Sequence, residues 1–443
     1  MVFSTSCVDQ QHWESYVFFY HARKVQQPGT VTRIVSGCSE KDKAEQQAFF
    51  EKYIQPMATK NQVFQIHFTP HFGQAEDHTG KTVHYKYMNK PFGLQHWMEH
   101  VLHMNDDTQK DPAVDDGIIF LLDPDMILLR PLIHDFTEED VVFVEEHPAT
   151  RVVRHGYPMS QQGMYLHIYL CGHAIVFYSS VSYHFFVIHF ILDGYMGVKW
   201  MNINVTNVTN AVLPESVTRQ SAPIHWNTGP PYLFTVKDGW KLANLWCEYA
   251  PKVHAVHPKI FAEMYGFILA SIFLELPFTM IKSLVVSTTK TSDREGWQPY
   301  IDDLLDEQDA CRPPESANLP VGLHYCGRYA VDRWFFSKYR LKKKFISCEL
   351  PLMEQPPSNL ATLGFDSFLV PPPNNIGHKK YEPKREKIPS PRIMKRETFM
   401  VCGMMAAVNE AARYFKTSHG ACNHTTANLA ETYSVHNDPN NYR

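Results

Sequence analysis

Apolar and polar positions follow two different periods along the first third of the chain. Short β-type runs, Val2–Ser6, Thr32–Ser36, Val63–Phe68 and Ile118–Leu122, are separated by stretches in which apolar side chains recur every three or four residues. The stretch after Asp9, a capping residue, carries Trp13, Val17, Phe18, Tyr20 and Val25 and stops at Pro28-Gly29. Glu40–Tyr53 forms a second such helix, and Pro91–His103, with Phe92, Leu94, Trp97, Met98, Val101 and Leu102, a third. Strands alternating with helices call for a mostly parallel sheet covered by helices on both faces, the α/β class. Ile118–Leu122 is apolar throughout, as a central strand must be, and Val141–Val144 is a further buried-strand candidate. Val236–Tyr249, Pro258–Leu274 and Phe399–Lys416 read as later helices. Beyond the last of these, the chain end reads as frayed.

Composition narrows the classes. A hydrophobic content of 44% supports a sizeable core, and 13% aromatic residues exclude a disordered acidic chain. A formal net charge of -4 and a pI near 6.7 argue against bulk nucleic-acid binding. The nine cysteines form no Cys-x-x-Cys pair. Setting Cys171 aside leaves an even number, compatible both with disulfides in an oxidising compartment and with buried thiols. The sequons Asn204-Val-Thr206, Asn207-Val-Thr209 and Asn423-His-Thr425 point toward a secretory lumen. Met1 runs straight into a strand with no signal peptide, so the expectation is either a cytosolic protein or an N-terminal anchor absent from this chain. From about Gln355 the chain turns Pro-rich and basic, and Lys379–Arg396 reads as an extended, solvated connector.

The chemistry-bearing feature is the end of the most apolar strand, which runs directly into Asp123-Pro124-Asp125. Residues two apart on an extended segment point the same way, so both carboxylates stand at the strand's carboxyl end, where open α/β sheets place their ligand crevice. Two hard oxygen ligands suit Mg²⁺ or Mn²⁺, and Pro124 stops the sheet ladder and stiffens the loop. Taken alone, the tripeptide fits a solvated turn equally well.

A set of motifs in order gives the chain a resemblance: Thr32-Arg33-Ile34-Val35-Ser36-Gly37, Asn89-Lys90-Pro91-Phe92-Gly93, Asp123-Pro124-Asp125-Met126 with Arg130-Pro131, Ala262-Glu263-Met264-Tyr265-Gly266, and His324-Tyr325-Cys326. The chain resembles the hydroxyproline O-arabinosyltransferases and their relatives, the peptidyl-serine α-galactosyltransferases, which are Golgi enzymes of plants and algae. The resemblance implies a GT-A like nucleotide-sugar fold and retaining, metal-dependent transfer from a UDP-sugar to a hydroxyproline or serine hydroxyl on an extended peptide. It implies a transferase domain over 1–350, and 351–443 as the connector and last helix. It implies Asp123, Asp125 and His324 as ligands of Mn²⁺ or Mg²⁺. Lys90 would be a second cation facing the diphosphate at a helix entry, Ser4, Thr5 and Arg33 uridine contacts, and Glu263 the residue near the donor sugar or acceptor hydroxyl. Read without the resemblance, His324 also fits a core histidine, Lys90 an exposed helix start, and Glu263 the polar edge of its helix; Glu275 and Asp238 are rivals for its role. Implied partners are the donor and the peptide, with no nucleic acid, and with membrane attachment only through an anchor absent from this chain.

One segment fits none of this. Met164–Leu192 holds no Asp, Glu, Lys or Arg, and its length permits a membrane span. A single span there would place Asp123 and His324 on opposite sides of a bilayer, so the run reads as an atypical insertion at about 163–200. Competing expectations are a non-catalytic glycan- or peptide-binding relative and a membrane-integral protein. A two-metal phosphatase lacks its second acidic cluster.

Overall fold

The computed structural model describes residues 1–76, 80–163, 198–290, 295–304, 310–313, 318–370, 384–418, 421–422, 427–429 and 431–434. Met164–Leu192, Cys171 and the Asn423 sequon lie outside them. The predicted alternation is met at the start: β1 (Val2–Ser6), α1 (Asp9–Lys24), β2 (Gly29–Ser36), α2 (Glu40–Phe49), β3 (Gln62–Thr69), α3 (Asn89–His100) and β4 (Ile118–Leu122). A short β5 (Met126–Leu128) is followed by β6 (Met159–Gln162), β7 (Thr228–Thr235), α4 (Val236–Val256), α5 (Ala262–Phe273) and β8 (Thr279–Ile281). Seven of these strands form one sheet in the order β8-β6-β7-β4-β1-β2-β3. All pair in parallel except β7, which runs antiparallel between β4 and β6. The carboxyl ends of β1, β2, β4 and β6 therefore share one edge. This mostly parallel sheet flanked by helices is the α/β class expected from the sequence.

Two apolar layers cover the sheet. Phe3, Leu122, Met159 and Leu233 pack on one face with α1 and the last helix, α6 (Pro391–Thr417), while Val2, Ile34, Leu121 and Tyr232 face α3, α4 and α5. α1 is buried from Trp13 through Ala22, because α6 covers its far side. α6 begins earlier than the predicted helix, with Pro391 in its first turn and the Ser390 hydroxyl accepting from the Ile393 N–H. The segment after residue 350 thus shares the core of the sheet.

Three expectations need correction. Arg396 is not solvated: it is 1% exposed and forms a two-pronged ion pair with Asp302, Nε donating to Oδ1 at 2.7 Å and Nη2 to Oδ2 at 2.5 Å. Lys384, Arg385 and Lys387 are exposed as expected, in a strand Lys384–Lys387 paired with Ser367–Val370. Val141–Val144 forms no strand, because the Val142 N–H donates to the Ser283 hydroxyl instead of a ladder carbonyl, leaving Phe143 in an isolated bridge to Ile281. Thr432–Tyr433, in the end expected to fray, pairs with Leu352–Met353.

Three disulfides, Cys7–Cys38, Cys311–Cys402 and Cys348–Cys422, answer the cysteine question left open above, with Cys247 and Cys326 free among the described residues. Among the described residues no helix is long and apolar enough to cross a membrane.

Two features of this packing yield measurable expectations. A Cβ at Gly266 of α5 would lie 2.8 Å from Ala250 Cα on α4, a backbone atom with nowhere to retreat. Gly266→Ala is expected to destabilise by about 1–3 kcal/mol through overpacking, read as a lower urea midpoint. The His21 ring on α1 is buried and its Nε2–H donates to the Ala407 carbonyl on α6 at 3.0 Å. Burial lowers its pKa to about 4 against the opposing effects of that bond and Glu410, with Lys24 adding to the lowering. The unfolded chain protonates first, so this contribution is present above pH ~6.5 and lost as pH falls toward about 4. The stability gap between wild type and His21→Gln, measured by urea unfolding, is expected to close between pH 7 and pH 5.

Candidate metal and diphosphate site

The site is assembled where β4 ends. Asp123 and Asp125 follow the last strand residue, and the chain re-enters β structure at β5. β5 pairs antiparallel with β10 (Gly322–His324), whose other neighbour is β9 (Val285–Val286), in a second small sheet with the register Met126↔His324, Ile127↔Leu323 and Leu128↔Gly322. The Tyr325 N–H then donates to the Asp125 carbonyl at 3.0 Å. This pairing carries His324 across the chain to the aspartate loop. Gly322 is required for it, since a Cβ there would lie 2.8 Å from the Ile127 carbonyl oxygen.

The resulting geometry is specific atom by atom. His324 Nε2 lies 3.3 Å from Asp125 Oδ1 and 3.9 Å from Asp123 Oδ2. The outer oxygen of each carboxylate is taken by a lysine: Lys90 Nζ is 2.7 Å from Asp123 Oδ1, and Lys338 Nζ is 2.5 Å from Asp125 Oδ2. Two ammonium groups therefore orient the carboxylates and leave one oxygen of each turned toward the imidazole. Ligand atoms on an octahedral ion with bonds of about 2.1 Å stand about 3 Å apart when adjacent, so this donor set fits a hard divalent cation with positions left open. It is the one such group of three ligands among the described residues, with its atoms within 4.8 Å of one another.

Electrostatics keep the Asp125 carboxylate charged. Burial by itself would raise the Asp125 carboxyl, but Lys338 and His324 outweigh it and hold it well below the usual carboxylate range. The His324 ring is raised despite burial, by Asp125 and then Asp123. Lys90 is likewise raised despite burial, by Asp123 and Glu263.

Lys90 sits in the first turn of α3, which Asn89 ties to the end of β1: its Nδ2 donates to the Ser6 hydroxyl and its carbonyl accepts from Ser4. Glu263 lies in the first turn of α5, 2% exposed, with Oε1 3.1 Å from Lys90 Nζ. Its backbone is fixed by the Tyr85 hydroxyl, which accepts from the Glu263 N–H, and by Trp246 Nε1, which donates to its carbonyl. Burial raises the Glu263 carboxyl although Lys90 opposes it. The structure thus brings Asp123, Asp125, His324, Lys90 and Glu263 together. Thr5 and Arg33 contact each other instead: Arg33 Nε donates to Thr5 Oγ1, Thr5 Oγ1 donates to the Ile34 carbonyl, and Arg33 Nη1 donates to Gln46. The Asp238 N–H donates to the Thr235 hydroxyl that caps α4 and its Oδ2 accepts from the Gly156 N–H, and Glu275 lies beyond the end of α5, so neither replaces Glu263.

Three residues escaped the sequence reading. Lys338 sits among Arg340, Lys342, Lys343 and Lys344, a run that reads as a solvated basic surface. Glu14 is 1% exposed on α1; burial raises its carboxyl to about 7, against the nearby Lys338 and with Asp125 adding to the rise. The criterion that singled out Glu263, a carboxylate among apolar helix neighbours, would have found it between Trp13 and Tyr16. Tyr232 on β7 is fully buried with no hydrogen-bond partner for its hydroxyl, and it feels the charges of Lys90, Glu263 and Asp123.

No family model matches the chain, and no curated protein is significantly similar to it. A solved structure described as the WbbM bifunctional glycosyltransferase in its apo form is 8% identical, with a TM-score of 0.33 over 77% of this chain. This chain spans 47% of that structure's length, about half. A likeness of that size assigns neither activity nor substrate to this chain.

Proposed function

We propose that this protein is a metal-dependent glycosyltransferase that moves a sugar, arabinose in the favoured reading, from a UDP-sugar to a hydroxyproline hydroxyl of an extended Pro-rich peptide, with retention. Serine galactosylation is the alternative within the same reading. The carrying observation is the inward turn of Asp123 Oδ2, Asp125 Oδ1 and His324 Nε2, with Lys90 and Lys338 behind the two carboxylates. A bound Mn²⁺ or Mg²⁺ supplies a Lewis acid that neutralises charge on a leaving diphosphate. Lys90 and Lys338 fix the carboxylate rotamers and add positive charge beside the same site, where preorganised donors are worth on the order of 3–4 kcal/mol each. Glu263, held against Lys90, is placed to receive a hydroxyl of the donor or acceptor. Retaining transfer demands no strong side-chain nucleophile. Four of the motifs that gave the sequence resemblance, those holding Lys90, Asp123 with Asp125, Glu263 and His324, meet at this site, which supports the reading. Three disulfides support a secretory or Golgi lumen as its compartment.

The test is a donor screen. Purified protein is incubated with UDP-arabinofuranose or UDP-galactose and with hydroxyproline-rich or serine-rich peptides, in Mn²⁺ or in chelator, and the peptides are weighed by mass spectrometry. Metal-dependent pentose addition to the hydroxyproline peptide is the expected result, and hexose addition to the serine peptide selects the alternative. Neither peptide gaining mass, with no UDP released from either donor, overturns the proposal.

A further inference from the structure

Buried polar atoms without partners are rare, and several gathered on one face at a ligand-binding edge mark a place where a ligand brings the missing partners. Such a group lies at the carboxyl end of β6, separated by β7 from the strand that runs into Asp123 and Asp125. Gln162 Oε1, Asn227 Oδ1 and Thr228 Oγ1 are buried and without hydrogen-bond partners. Gln162 is 8% exposed, and Asn227 and Thr228 are fully buried.

Strand register sets their direction. Gln162 closes β6 and stands opposite Thr228, the first residue of β7, so their side chains lie on one face of the sheet. Ser160, two residues before Gln162, stands opposite Tyr232. The register shifts between Ser160 and Gln161, with Pro230 and Pro231 of β7 extra, so the shared face is read along β6, which has no extra residue. Gln162 returns to the face of Ser160, and with its partner Thr228 to the side of Tyr232, which packs on Phe267 of α5 and feels Lys90 and Glu263. The intervening Gln161 points to the other face, where its amide is satisfied by the Lys282 carbonyl and the Val285 N–H. Asn227, just before β7, is oriented by its Nδ2, which donates to the Gly163 carbonyl at 3.3 Å, leaving its oxygen open.

The chemistry follows from the atoms. Two of the open groups are amide oxygens, which only accept, and the third is a hydroxyl that accepts or donates. They complement a ligand that offers several O–H donors and no negative charge. Resting on the nucleotide-sugar reading above, we propose that Gln162, Asn227 and Thr228 are specificity-determining residues that receive the neutral, hydroxyl-bearing ring of the donor sugar, and that they exclude sugars carrying a carboxylate.

Calorimetric titration of the Mn²⁺-loaded full chain with UDP, UDP-galactose, UDP-arabinofuranose and UDP-glucuronate tests this. In wild type, at least one neutral UDP-sugar is expected to bind about tenfold tighter than UDP, and UDP-glucuronate no tighter than UDP. Thr228→Val and Gln162→Leu are each expected to remove most of that gain while leaving UDP affinity unchanged. Because Thr228→Val deletes a hydroxyl that has no partner, its thermal midpoint is expected to stay or rise, which a structural role for the hydroxyl would not produce. Neutral-sugar affinity equal to wild type in both folded variants overturns the proposal, as does UDP-glucuronate binding as tightly as the neutral sugars. Failure of wild type to bind UDP at all strikes the nucleotide-sugar reading itself and removes this subsite with it.

Discussion

Asp125→Asn is expected to abolish Mn²⁺ binding measured by calorimetry and to lower any metal-dependent transfer by about a thousandfold or more, on the order of 4 kcal/mol of barrier. The substitution keeps the side chain's shape and removes its charge, so the effect isolates electrostatics. Asp125 serves two partners at once, with one oxygen toward His324 and the other held by Lys338. In the Asn variant one side of the amide presents N–H groups to the cation or to the Lys338 ammonium, so one contact fails and the other loses its charge. His324→Ala removes one ligand and leaves the carboxylate pair, so a smaller loss of Mn²⁺ affinity, about ten- to a hundredfold, is expected there. Unchanged Mn²⁺ affinity in Asp125→Asn would show that the three side chains do not share an ion.

The second large effect lies away from the site. Asp302→Ala is expected to destabilise the protein by about 3–5 kcal/mol, because it leaves the Arg396 guanidinium buried without its carboxylate. Both partners are almost fully buried, and Arg396 also donates to the Thr289 carbonyl and lies over the Trp297 ring. Replacing both partners with apolar residues, as Asp302→Leu with Arg396→Met, is expected to recover most of the loss, since no unpaired charge remains. Urea midpoints of the single and double variants provide the measurement. A double variant no more stable than Asp302→Ala would mean that the pair's neighbours, and not its charge balance, set the cost.

These two predictions differ in how far the chain announced them. The place of Asp125 was legible because local rules suffice for it, while its reading as a ligand rested on the motif set. An all-apolar strand must be central, a proline cannot continue a ladder, and two carboxylates flanking that proline stand at the strand's carboxyl edge. The same local rules located β1, β4, α3 and α5, with Lys90 at the entry of its predicted helix and Glu263 inside one expected from Pro258; the structure starts α3 at Asn89 and α5 at Ala262, which puts both in first turns. Arg396 was misread because charge within a basic run is locally indistinguishable from a solvated face. Its burial depends on Asp302, a partner 94 residues away.

Periodicity and residue chemistry were therefore enough to establish the α/β layering and the strand edge at which Asp123 and Asp125 stand, for these depend on neighbours within a few positions. Partnership across long separations was not readable in this way. That Lys338 grips Asp125, that Glu14 backs it, that His324 is delivered by a three-residue strand pairing with β5, and that α6 closes over α1 all follow from which surfaces meet once the core is buried. Burial free energy is gained by the whole assembly and leaves no local period in the chain.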